Sequence, residues 1–173
     1  LAHSVWIDDQ EIDQIAASGA TVIHNPVSNA FLSTGVAPVL KLRAAGEHVA
    51  LGTDGQAVNI GQEMLDVLKW ALNLHKINSR DPHCLTPEDV LTMACREGAY
   101  AFGQPEEIGS LEVGKKADVV IVDLNNPRLA LPSLSVTSLL VNFARSTDVA
   151  TVIVDGEILM RDREILFLDE EAL

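Results

Sequence analysis

Ala20-Thr21-Val22-Ile23-His24-Asn25-Pro26 and His48-Val49-Ala50-Leu51-Gly52-Thr53-Asp54-Gly55 are two short apolar runs, each closed by a polar residue and a turn. Such runs, four to five residues long and rich in β-branched side chains, read as strands buried on both faces. Between them Val36–Ala45 has a helical pattern ended by Gly46. Upstream, Ala2–Trp6 reads as the end of another buried strand. Asp8 or Asp9 then caps a helix running to about Ser18, with Ile12, Ile15 and Ala16 on one face and Gly19 at its end. Strand, helix, strand, helix, strand with short connections is the pattern of parallel βα units. Pro26 is expected to break the chain into a loop.

Downstream the pattern changes. Ile60 to Ile77 is strongly helical, with Met64, Leu65, Leu68, Ala71, Leu72 and His75 at three- and four-residue intervals. Thr86-Pro87-Glu88-Asp89 supplies an N-cap, a proline at the first helical position and an acidic first turn, opening a helix to about Tyr100. Gly109–Gly114 is a turn and Ala117–Asp123 a strand. After a proline-marked loop, Val149–Val154 and Glu157–Met160 flank Asp155-Gly156, a strong hairpin signal. The chain therefore begins in parallel βα units and ends in antiparallel β structure.

Composition narrows the function classes. The chain has 173 residues, 47% of them hydrophobic, and Lys+Arg 12 against Asp+Glu 25 leave a formal charge of −13. That balance opposes binding to a phosphate backbone, which needs clustered cations, so no nucleic-acid partner is expected. No apolar run approaches the roughly 18 residues of a spanning helix, so no membrane role is expected either. Cys84 and Cys95 fit neither a metal knuckle nor a redox pair, and a reducing, cytoplasmic setting is expected.

His3, His24 and Asp54 end three successive expected strands. In closed βα sheets those ends share one mouth, where imidazole and carboxylate can hold a metal or move protons. Taken singly, each has a plainer explanation. A histidine at a strand end is more often a hydrogen-bonded structural residue, and an aspartate before glycine more often forms a turn. The segment His24–Asn29 carries two amides, a hydroxyl and an imidazole, which suits recognition of a polar heterocycle but also suits an ordinary turn. Gly52 and Gly55 around Asp54 would allow close backbone approach to a ligand. His48, His75 and His83 read as structural or solvent-exposed.

Leu1–Trp6, His24–Asn29, Gly35-Val36-Ala37-Pro38-Val39 and Leu51–Gly55, with the later Ile108–Asp118 and Thr151–Gly156, resemble the amidohydrolase superfamily. Within it they are similar to the branch of 5-methylthioadenosine/S-adenosylhomocysteine deaminases and triazine chlorohydrolases. The resemblance implies an α/β fold: strands six to eight with their helices of a partial (β/α)8 metal-dependent hydrolase barrel over 1–107, then a C-terminal helix/β-sandwich element, part of a small β-sandwich, over 108–173. It implies one divalent metal, zinc or iron, activating water to displace an amine or chloride from a small heterocyclic substrate. It makes Asp54 a metal ligand that takes a proton from the water. It makes His3 the residue that polarises the water and substrate, and places His24, Asn25, Ser28, Asn29 and Trp6 in the substrate pocket.

The family's His-x-His pair and His-x-x-Glu element do not occur in this sequence. The expectation is therefore the C-terminal portion of a longer enzyme, inactive and without bound metal by itself. A second reading is a non-catalytic piece that buries its open barrel edge by self-association, as a homo-oligomer. A third is a ring-opening reaction of the dihydroorotase or imidazolonepropionase kind on the same scaffold.

Overall fold

The structure is a computed structural model that describes residues 1–59 and 61–168. Helix α1 (Asp9–Ser18) opens with a reciprocal cap: Asp8 accepts from the Glu11 N–H while the Glu11 carboxylate accepts from the Asp8 N–H. Gly19, at φ 70°, closes it in the left-handed region that glycine enters without strain. Strands β1 (Val22–His24) and β2 (Val49–Leu51) pair in parallel, Val22 opposite Val49 and His24 opposite Leu51. On the far side of β1, Ala2 forms a single parallel bridge to Ile23. β1 is thus the middle member of a three-part parallel arrangement.

The expected strand over Ala2–Trp6 is reduced to that one bridge, and Leu1–Trp6 are half-buried or exposed rather than buried. His3 and Ser4 adopt positive φ (62° and 47°), which ends the extended conformation immediately after Ala2. Pro26 does not open a loop. It is the first residue of helix α2 (Pro26–Phe31), a position where its missing N–H costs nothing and its fixed φ favours the helix. Helix α3 (Val39–Ala44) starts three residues later than the pattern suggests, because Pro38 disfavours helical geometry at Ala37.

Helix α4 (Met64–Ser79) buries Val67, Leu68, Ala71, Leu72 and His75 on one face. Ile60, where the sequence starts this helix, lies outside the described residues. Helix α5 (Pro87–Ala94) has the expected Thr86 cap, with Asp89 completing it. The chain then kinks at Cys95, and α6 (Arg96–Ala101) continues, so the single helix expected to Tyr100 is two. Gly109 packs at this kink, where a Cβ would meet the Ala99 Cβ at 2.8 Å and the Cys95 carbonyl oxygen at 3.0 Å. The core gathers Val22, Val49 and Leu51 from the strands with Val39, Leu42, Val67, Leu68, Leu72, Val90 and Met93 from the helices.

Strands β3 (Val119–Val122), β4 (Val149–Val154), β5 (Glu157–Arg161) and β6 (Glu164–Ile165) form an antiparallel sheet in that order. Asp155 and Gly156 both have positive φ (50° and 83°), as a two-residue turn with the native strand twist requires. β3 is an outer strand, and Val120 and Ile121 on it are exposed. Helix α7 (Val136–Phe143), for which the sequence pattern gives no bounds, packs on α4 and α5 and sends Val141 into the same core. Asp148 is buried beside it, accepting from Arg128, Asn126 and the Arg145 N–H. Among the described residues no helix is long and apolar enough to cross a membrane.

Candidate active site

The site is assembled at the ends of the parallel elements. His3 follows the Ala2 bridge, and Asp54 lies three residues past β2. Both sit in left-handed backbone, each at φ 62°, a conformation held against backbone preference by the surrounding contacts. His3 Nε2 lies 3.5 Å from Asp54 Oδ2, with both side chains partly exposed. The Ser28 hydroxyl donates to the same Oδ2 at 2.5 Å, and the Gly55 N–H donates to Oδ1 at 2.7 Å. These two bonds, Ser28 foremost, hold the Asp54 carboxyl below the usual carboxylate range, with a smaller contribution from the neighbouring His3. On its other side His3 Nδ1 is 2.8 Å from Asn29 Oδ1, and Asn25 Nδ2 lies 3.5 Å from the same ring nitrogen.

The turn carrying Asp54 is fastened by two residues that the sequence reading passed over. Asn59 Nδ2 donates to the Thr53 carbonyl at 2.7 Å, and Gln62 Nε2 donates to the Asp54 carbonyl at 2.7 Å. Only their closeness to Asp54 in sequence hinted at this. Gly52 does not leave room for a ligand. A Cβ there would lie 2.4 Å from Asn25 Oδ1 and 2.8 Å from Ile23 Cγ2, so the missing side chain admits Asn25 and Ile23.

The residues expected around a substrate fall into three groups. Trp6 is 85% exposed and its ring lies beside Gly35. Asn25, Ser28 and Asn29 are buried, with polar atoms turned to His3 and Asp54. His24 is fully buried and faces the core, not the mouth: its Nε2 is 3.1 Å from Nε2 of the equally buried His75 on α4. A three-residue strand does not reveal which face its last side chain takes, and the helix-side face won. Burial, reinforced by the charges of His75 and His3, lowers the His24 pKa to about 3, and burial lowers that of His75 to about 4. Both rings are therefore neutral near pH 7, one Nε2–H donating to the other.

A catalytic metal site ordinarily takes at least three protein ligands. Among the described residues no group of three His, Cys, Asp or Glu side chains is placed to hold an ion. Asp54, with His3 beside it, supplies too few donors, so these residues do not by themselves fit a metal centre. A cavity of about 860 Å³ lies elsewhere, between α4 and α5 and the antiparallel sheet, lined by Met64, Leu68, Leu91, Val119 and Val152 among others. Neither His3 nor Asp54 lines it.

Comparison with known proteins bears on this arrangement. The family model described as the amidohydrolase family matches residues 1–159. The chain belongs to the amidohydrolase family. It is 44% identical over 172 residues to a 5′-deoxyadenosine deaminase of Methanosarcina mazei, covering 99% of this chain and 39% of that protein. It is 45% identical over 172 residues to a 5-methylthioadenosine/S-adenosylhomocysteine deaminase of Dictyoglomus thermophilum, covering 99% and 40% respectively. Among solved structures it superposes on an adenosine deaminase of Xanthomonas campestris with bound zinc at a TM-score of 0.94 and 34% identity, covering 99% of this chain and 39% of that one. The chain thus spans about two fifths of the length of these amidohydrolase relatives. Its mixed helix and sheet architecture is that of part of the amidohydrolase fold.

Proposed function

We propose that this chain is the C-terminal part of a hydrolase that removes an amino group, or a chloride, from a purine, triazine or related heterocycle, with His3 and Asp54 as its catalytic residues. In this reading residues 1–107 give strands six to eight of a (β/α)8 barrel, and residues 108–173 give part of a small β-sandwich. The observation that carries it is the approach of His3 Nε2 to Asp54 Oδ2 at 3.5 Å, from two neighbouring parallel elements. The names of the relatives support a nucleoside-like substrate.

In a longer protein Asp54 would be one ligand of a divalent ion, zinc or iron, and further protein ligands would be needed to complete the site. When bound, such an ion makes water a nucleophile near neutral pH. The steps assigned to this chain are proton transfers. Asp54, held ionised by Ser28 and Gly55, takes a proton as water oxygen adds to the electron-poor ring carbon. It returns that proton to the departing amine, so that water and the amino-substituted ring give the ring carbonyl and ammonia. His3 holds the water and substrate in line through Nε2. The 173-residue chain alone is inactive in this reading.

The test is Asp54→Asn in a full-length protein carrying this sequence, assayed with 5′-deoxyadenosine as the probe substrate. Turnover should be abolished. Activity close to that of the unsubstituted enzyme would remove Asp54 from the chemistry and the reading with it.

A further inference from the structure

We infer that α2 is the alignment element of this site: Asn29 fixes the orientation and tautomer of the His3 ring and Ser28 fixes the Asp54 carboxylate, neither of them touching substrate. The inference rests on the catalytic reading of His3 and Asp54 and deepens it.

Topology explains how one short helix reaches both residues. β1 lies between the Ala2 bridge and β2, and α2 begins after a single intervening residue, Asn25. The helix therefore stands over the middle of the three parallel elements, with His3 to one side and Asp54 to the other. Consecutive helical side chains diverge by about 100°. Ser28 and Asn29 use that divergence to serve the two flanks.

Their burial argues against direct contact with substrate. Ser28 is 0% exposed and Asn29 2%, so neither presents surface to a small molecule. Ser28 Oγ and His3 Nε2 converge on the same carboxylate oxygen, Asp54 Oδ2, while the Gly55 N–H occupies Oδ1. The carboxylate is consequently held at both oxygens. Asn29 Oδ1 meets His3 Nδ1 at 2.8 Å, and an amide oxygen only accepts. The short contact thus assigns the hydrogen to Nδ1, over the longer 3.5 Å approach of Asn25 Nδ2, and leaves Nε2 as the nitrogen that faces Asp54. Asn29 Nδ2 has no partner among the described residues, so the amide is not simply a satisfied member of the core; the contact its side chain makes through oxygen is the one to His3.

Two measurements test this. Histidine-selective ¹⁵N labelling of the 173-residue chain, read by two-bond ¹H–¹⁵N correlations, should show His3 with Nδ1 protonated. Asn29→Ala should abolish that signature and Ser28→Ala should retain it. An unchanged His3 pattern in Asn29→Ala overturns the assignment, and if that variant does not fold, Asn29→Ser is read in its place. In the full-length protein, with 5′-deoxyadenosine as probe, Asn29→Ala and Ser28→Ala should each lower kcat about 10- to 100-fold. KM should stay within about 3-fold, and Ser28→Thr should restore most of the loss. A raised KM with kcat intact would make these residues substrate contacts and overturn the inference. Retained turnover in Asp54→Asn would instead defeat the catalytic reading, while the His3 spectrum would still decide the role of Asn29.

Discussion

The His3 imidazole and the Asp54 carboxylate stand 3.5 Å apart although they lie 51 positions apart in the chain. Residues that act as one unit lose their function together, so removing both should cost little more than removing either. In the full-length protein, kcat/KM for His3→Gln, Asp54→Asn and the double variant should form a strongly non-additive cycle, with a coupling of at least about 1 kcal/mol. Fully additive losses would show that the two groups work independently.

The shortage of donors around Asp54 has an analytical counterpart. Purified from zinc-supplemented medium and dialysed, the 173-residue chain should carry well under one zinc per molecule by plasma mass spectrometry. One tightly held ion per chain would mean that side chains beyond Asp54 and His3 complete a site, against the arrangement of the described residues.

The buried His24–His75 pair makes stability depend on pH. Both folded pKa values, about 3 and about 4, lie below the ordinary 6.5, so the unfolded chain binds more protons once pH drops beneath 6.5. Their stabilising contribution is complete above that value and is lost progressively as pH falls through about 4 for His75 and about 3 for His24. Each histidine steepens the decline by up to about 1.4 kcal/mol per pH unit. Urea midpoints between pH 7 and 5, above most carboxylate titrations, should fall accordingly, and His75→Gln should flatten the slope. A slope unchanged by that substitution would show that the pair does not govern it.

Gly52→Ala is expected to destabilise the chain by about 2 kcal/mol, within the range for overpacking a filled site. The new methyl would meet Asn25 Oδ1 and Ile23 Cγ2, neither of them the free end of a long side chain. A thermal midpoint equal to that of the unsubstituted chain would mean that the β1 and β2 ends move apart freely.

What the sequence disclosed was local or periodic. The parallel pair at Val22–His24 and Val49–Leu51, the Asp8 and Thr86 caps and the Asp155-Gly156 hairpin each depend on neighbouring residues, and each is where the pattern puts it. Pro26 was ambiguous because proline both breaks a helix and begins one. Helix α7 lay hidden among prolines and serines, although Ser135 followed by Val136, Leu139 and Leu140 has the spacing of a capped amphipathic turn. At the candidate site, His3 and Asp54 could be singled out in the sequence, and the structure brings their side chains together. Which way His24 turns, and that Ser28 and Asn29 spend their polar groups on Asp54 and His3, are products of tertiary packing that no spacing rule carries.

The outer flank of β3 has a practical bearing on anyone handling the chain. With Val120 and Ile121 open to water and, among the described residues, one row of backbone N–H and C=O groups lacking a neighbouring strand in the sheet, the flank can recruit another polypeptide edge to edge. Concentrated preparations should therefore tend toward β-rich polymers, and a lysine at position 120 or 121 is the natural remedy for insolubility.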